Sequence, residues 1–150
     1  MRSEYLSCHP NLSQENATPC VIDVQHTKEV VDQFSISPVP KQHPDILGIC
    51  DIRGHVVSVF DLGSIMGLTA PSQINTEQRK LIILELQDHW IGCCVDAVER
   101  IVTIAPEQVQ PAPKGSEGRM IQGVAYLEDE RLYQVVAIEA IAADLGFELS

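Results

Sequence analysis

Five cysteines, five histidines and a scatter of carboxylates hold whatever covalent or metal chemistry this 150-residue chain could perform. Spacing argues against most of it. Cys93 and Cys94 are adjacent in a strand-like run, so their side chains project to opposite faces and cannot share one ion. Cys8-His9 and the Cys20, His26 pair lack any CxxC or HxxxH spacing. Buried or half-buried free thiols are expected in place of a metal site. The odd cysteine count, without framework spacing, fits reduced thiols in a cytoplasm. Cys50, in Gly-Ile-Cys-Asp-Ile, with His55 as its base, is the nucleophile the chain could offer. Both fall in one hairpin and nothing supplies an oxyanion hole, so a core cysteine is expected. Asp61, Asp96 and Glu29 could pair as acid and base only in a cleft the sequence does not show; strand-end turn carboxylates are the simpler reading. Gly48, Gly54, Gly63 and Gly67 are scattered turn glycines, not a phosphate loop. No catalytic residue, cofactor or metal is expected.

The elements that would position these residues are short strands. Residues 1–19 are poorly patterned, and Tyr5-Leu6 is the one place there that could start a short strand. Strands are predicted over 20–25 and 28–33, closed by Pro38 and Pro40. Ile46, Leu47 and Ile49 face Val56, Val57, Val59, Phe60 and Leu62 across a break at Asp51–Gly54, a hairpin over about 45–62. The second run is apolar on both faces and should be buried on both. Leu62, Ile65 and Met66 fall at helical spacing before Gly67. A polar linker covers about 69–79. Leu81–Leu86 and Trp90–Val95 form a second hairpin across Gln87-Asp88, and Asp96–Ile104 continues as strand. Residues 105–119 are a Pro/Gly-rich loop. Ile121–Tyr126 and Leu132–Val136 form a third hairpin, and Ile138–Leu145 a closing helix ended by Gly146. Many short strands punctuated by turns predict an all-β barrel or sandwich with few short helices.

Composition narrows function. The net charge of −11 disfavours a binder of phosphate backbones or anionic lipid, and aromatics are scarce. An oligonucleotide-binding barrel is improbable on both counts. No apolar run reaches the roughly 18 residues of a membrane span. The N-terminus lacks an apolar h-region, so no signal peptide is expected. Arg53, a lone cation at the central turn, then stands out. It could cap a sheet edge by pairing with a carboxylate such as Glu29. It also suits a binding face, where arginine is enriched among hot spots.

Four blocks, CVIDVQHTKEVVDQFSISPVP (Cys20–Pro40), DILGICDIRGHVVSVFDLGSIMGL (Asp45–Leu68), IGCCVDAVERIV (Ile91–Val102) and IQGVAYLEDERLYQVV (Ile121–Val136), resemble the CheW-like family in order and spacing. The resemblance covers roughly residues 20–145. It implies a single CheW-like domain over 20–150, made of two small five-stranded SH3-like β-barrels packed through a shared hydrophobic core. It implies no catalytic activity, but a bacterial adaptor of chemotaxis or pilus-type chemosensory signalling. Its partners would be the regulatory domain of a CheA-type histidine kinase and the cytoplasmic tip of a methyl-accepting chemoreceptor. Nucleic acid and direct membrane insertion are not expected; the location would be cytoplasmic, at membrane-associated receptor arrays. Arg53 and Gly54 match the family's "LRG" motif and Glu29 its acidic "EV/EI" position, both associated with a receptor-facing groove. Val30, Val31, Ile36 and Leu47 are candidate groove-lining residues, although plain core is the commoner role for each of them. Gly92 matches a family glycine on the kinase-facing side, with Val95 and Asp96 in the same stretch. The chain departs from the pattern at Ser58, where proline is usual, at Asp51 beside the arginine, and at Val135–Ile138, which lacks an aspartate. Alternatives are a CheW-like regulatory module of another signalling protein, and a small ligand-binding or enzymatic barrel using Cys50 and His55. Arg53→Ala is expected to weaken partner binding, and to cost about 1–3 kcal/mol of stability if Arg53 is buried against Glu29.

Overall fold

Alternation of β-branched residues and tight polar turns generates eleven strands among the described residues, and short helices fill two strand ends. The computed structural model describes residues 2–12, 18–40, 43–68, 79–112 and 120–147. The strands are β1 (Ser3–His9), β2 (Cys20–Asp23), β3 (Thr27–Val31), β4 (Ile46–Ile52), β5 (His55–Asp61), β6 (Lys80–Leu86), β7 (His89–Val95), β8 (Ala97–Ile104), β9 (Val109–Gln110), β10 (Ile121–Tyr126) and β11 (Leu132–Val136). Helix α1 (Leu62–Ile65) follows β5, and α2 (Ile138–Asp144) follows β11. They build two sheets, ordered β8-β1-β2-β11-β10-β9 and β3-β6-β7-β5-β4. The second has the five strands expected; the first gains a sixth, the two-residue β9.

The sheets are nested in the chain. Strands β3 to β7 run consecutively and make the whole second sheet, while β1, β2 and β8 to β11 make the first. The chain passes between sheets at the 3-10 turn Val24–His26 and again at Asp96, between β7 and β8. The polar stretch 69–79 lies outside the described residues except for Arg79, and the elements it joins, α1 and β6, both sit on the second-sheet side of these crossings.

Burial divides into three clusters. Cys50, Ile52, Val57, Val59, Leu81, Ile83 and Cys94 fill the second barrel. Val21, Val102, Ile104, Ala125, Tyr133 and Val135 fill the first. A larger cluster joins them, with Leu6, Cys20 and Ile22 from the first sheet against Phe60, Ile82, Leu84 and Cys93 from the second and Ile138 and Ile141 of α2. Because successive strand residues face opposite ways, Cys93 enters the shared core and its neighbour Cys94 the second-barrel core. This is the architecture of two small β domains packed on a common interior.

Two local expectations change. Val57, Val59, Phe60 and Leu62 are buried, but Val56 is 70% exposed. Strand β5 pairs with β7 only from Ser58↔Ile91 to Asp61↔Cys94, so Val56 lies on the part of the hairpin that runs past the neighbouring strand. Strand β1 spans seven residues where Tyr5-Leu6 alone signalled it, and it pairs with both β2 and β8.

Candidate functional site: the Arg53 turn

Strands β4 and β5 are joined by the two residues Arg53 and Gly54, with φ of 54° and 85°. Positive φ at both positions is the type I′ turn, whose twist matches that of the flanking strands. Asp51 belongs to the same turn: its Oδ1 accepts from the Gly54 amide at 2.9 Å. Gly54 suits its place because only glycine takes that φ freely. Arginine does not; a bulky side chain in the left-handed region is strained by roughly 1 kcal/mol or more. Arg53 nonetheless holds it and donates from Nη2 to Glu29 Oε2 at 3.0 Å. The arginine side chain is 75% exposed and that of Glu29 23%. An ion pair this open contributes about 0–1 kcal/mol. Glu29 also leaves Oε1 buried without a hydrogen-bond partner among the described residues. Local stability therefore does not account for an arginine here.

The flanking residues close the end of the second barrel. His55 stacks on Trp90, ring centres 3.8 Å apart and 18° from coplanar. Lys28 Nζ stands 4.7 Å from the centre of the same indole, whose Nε1 donates to Glu85 Oε2 at 2.9 Å. Val31, Ile36 and Leu47 pack, partly buried, on the second-barrel core. Val30 is 39% exposed. The structure thus brings Glu29 and Arg53 into contact, places Val31, Ile36 and Leu47 in one cluster, and leaves Val30 outside it.

Gly92 and Val95 lie inside the fold. A Cβ on Gly92 would stand 3.1 Å from both Leu81 and Val59 side chains, so this glycine serves close packing of β7. Val95 is fully buried. Asp96 is half-buried and belongs to a clamp around Arg79. The Arg79 guanidinium contacts Asp61 through Nη1 and Asp96 Oδ1 through Nε at 2.8 Å. It also donates to the Cys94 carbonyl at 3.3 Å and the Pro10 carbonyl at 3.5 Å. Asp96 Oδ2 accepts from the Leu12 amide at 2.6 Å, and Asp61 caps α1 by accepting from the Ser64 amide at 2.7 Å. Burial raises the Asp61 carboxyl, offset only in part by the Arg79 charge. Burial also works against the Arg79 guanidinium, but surrounding acidic groups outweigh it and raise its pKa. Cys94, pushed up to about 12 chiefly by burial, is an uncharged thiol at neutral pH, so the two carboxylates carry the pairing. Arginine has no neutral form in this range, and the clamp is held ionised.

Asp61 and Asp96 therefore do meet, but around a structural cation, while Glu29 is engaged elsewhere. Cys50 is buried, its thiol raised by burial above the ordinary value, and His55 is committed to Trp90. The remaining four thiols are also buried and free. Among the described residues no group of three His, Cys, Asp or Glu could hold a metal. An open depression of ≈ 430 Å³ lies away from the turn, lined by residues including Arg2, Arg100, Thr103 and Asp129. Its Arg100 is already spent on Asp129 and Tyr133. Sequence reasoning missed Arg79 and Trp90. Arg79 is one of two adjacent cations, Arg79-Lys80, ahead of the apolar Leu81–Leu84 run, and nothing local separates it from its neighbour.

The comparisons with known proteins agree with this architecture. A profile of the CheW-like domain matches residues 11–146. The probable chemotaxis protein CheW of Rhizobium etli is 24% identical over 130 residues, 85% of this chain and 82% of that protein. The chemotaxis protein CheW of Bacillus subtilis is 24% identical over 128 residues, 84% and 81%. The crystal structure of the scaffolding protein TtCheW from Thermoanaerobacter tengcongensis superposes with a TM-score of 0.75 at 22% identity, covering 91% of this chain and 89% of that one. Its fold is the one described above. The chain belongs to the CheW-like domain family.

Proposed function

We propose that this chain is a non-enzymatic, cytoplasmic adaptor that couples a chemoreceptor to a CheA-type histidine kinase. The observation that carries it is the Arg53 turn: a strained, three-quarters exposed arginine, held by Glu29, at the position where a CheW-like chain is expected to meet a receptor. The receptor tip, an amphipathic helical hairpin, would lie over Arg53, Gly54 and Glu29 beside the partly buried Val31, Ile36 and Leu47, with Val30 at the margin. The kinase regulatory domain would meet the side of β7, through residues around the buried Gly92 and Val95 and the half-buried Asp96. Residence at a membrane array would come through these partners; no helix among the described residues is long and apolar enough to cross a membrane.

The test is titration, by calorimetry, of the protein with a CheA-type regulatory domain and, separately, with the soluble cytoplasmic hairpin of a chemoreceptor. Both should bind with Kd below ~100 μM, equivalent to about −5.5 kcal/mol or tighter. Silence from both at that concentration would overturn the reading.

A further inference from the structure

The turn end of the β4–β5 hairpin reaches past its backbone support. The β5–β7 ladder stops at Ser58, three residues short of the start of β5 at His55. On its other edge β4 has an isolated bridge, Ser37 to Ile49, again short of the turn. What holds the tip to the sheet is side chains. Ile52, directly before the turn, is buried in the second-barrel core. Two contacts are made at the surface. One is the exposed Arg53–Glu29 pair, which an incoming partner would compete for. The other is His55 on Trp90, where the imidazole of the residue directly after the turn lies flat at 3.8 Å on an indole fixed from two further strands. Lys28 of β3 sits over that indole and Glu85 of β6 takes its N–H. Trp90 itself packs on the second-barrel core.

We infer that the His55–Trp90 stack is the positioning device for the Arg53 turn, setting where the arginine is presented to a partner. The assignment of a partner to Arg53 rests on the function proposed above; the mechanical role of the stack does not. Planarity is what the role needs. Offset stacking of flat rings fixes orientation as well as distance, which a lone aliphatic contact does not. The stack also explains His55's place: it is exposed yet its ring is spent on packing.

Two measurements on the intact chain test this. The first needs no partner. Amide hydrogen exchange at Gly54, whose N–H is bonded to Asp51, should quicken about tenfold in His55→Ala and return to within about threefold of the parent in His55→Phe, which keeps a flat ring. The second is affinity for a chemoreceptor cytoplasmic hairpin, which should fall about tenfold in His55→Ala and be restored by His55→Phe while the melting temperature stays level. Unchanged Gly54 exchange in His55→Ala, or a His55→Phe variant as fast as His55→Ala, overturns the inference. So does a parent that binds the hairpin and a His55→Ala variant that binds it equally well. If the parent fails to bind the hairpin, the receptor contact proposed above falls, and the exchange result alone decides the stack.

Discussion

Arg79 and Arg53 each hold a carboxylate within the second sheet's domain, and they do so under opposite conditions. Arg79 is 7% exposed, with Asp61 at 1% and Asp96 at 26%, and its guanidinium also reaches two backbone carbonyls. Arg53 is 75% exposed and reaches one carboxylate oxygen. The first removes charge from water and recovers the cost through several partners at once. The second gains little from its pair and sits in a backbone conformation that disfavours it. In the sequence both arginines border apolar strands, Arg53 alone and Arg79 next to Lys80. Their surroundings assign one to holding the fold together; the other is left at the surface, where the function proposed above places recognition.

That contrast breaks most sharply at Arg79. Arg79→Met leaves Asp61 buried without its countercharge and should cost about 3–5 kcal/mol, read as a drop in the urea midpoint. Asp61→Asn should cost less, about 2 kcal/mol, because Asp96 still pairs with Arg79 and the asparagine oxygen can still cap α1. Arg53→Ala should change unfolding free energy by no more than about 1 kcal/mol while lowering affinity for a receptor hairpin at least about tenfold. The larger stability loss expected for a buried Arg53 does not apply, since the turn projects it into solvent. A stability loss at Arg53 matching that at Arg79 would erase the distinction.

The smallest effect sharpens the same comparison in the first barrel. The Tyr133 hydroxyl donates to Asp129 Oδ2 at 2.6 Å and holds that carboxyl below its ordinary value of 3.8, with Arg100 adding to the effect. A carboxyl depressed in the folded state contributes stability above its unfolded pKa and loses it as pH falls through the folded one. Tyr133→Phe should therefore unfold at lower urea than the parent at pH 7, and the gap should shrink on acidification below 3.8. A gap independent of pH would show that the hydroxyl acts through packing alone.

Much of the second barrel is legible because its signals are local. Leu81–Leu84 and Trp90–Val95 are apolar runs split by Gln87-Asp88, which take the positive φ that a two-residue hairpin needs. The Arg53–Gly54 turn is legible for the same reason, and the four sequence blocks carry the family. Strand β1 is different. SEYLSCH mixes polar and apolar residues because its chemistry is satisfied at a distance: Ser7, fully buried, donates to the Arg100 carbonyl at 3.0 Å and accepts from the Arg100 amide at 3.2 Å. No window around residue 7 contains that partner. The stack is hidden likewise, since His55 and Trp90 are distant in sequence and meet only once β5 lies beside β7. The clamp required knowing that β7 ends where β5 ends, which the Asp61↔Cys94 pairing supplies. Groove-lining and core readings of Val31, Ile36 and Leu47 could not be separated by pattern, because these residues pack on the core while staying partly exposed.

The nesting of the sheets bears on how the chain is made. Everything the second sheet needs is contiguous from Thr27 to Val95 and can assemble as soon as that stretch is synthesised. Strand β1 can pair early with β2, but its other edge pairs Ser3 with Ile104 and stays open until the whole second barrel and then β8 have emerged. Long-range closure of this kind is slow, and the open edge is meanwhile a template for other chains. Strand β1, synthesised before either of its partners, is thus among the last to be sealed, and the first barrel closes around a neighbour that is already built.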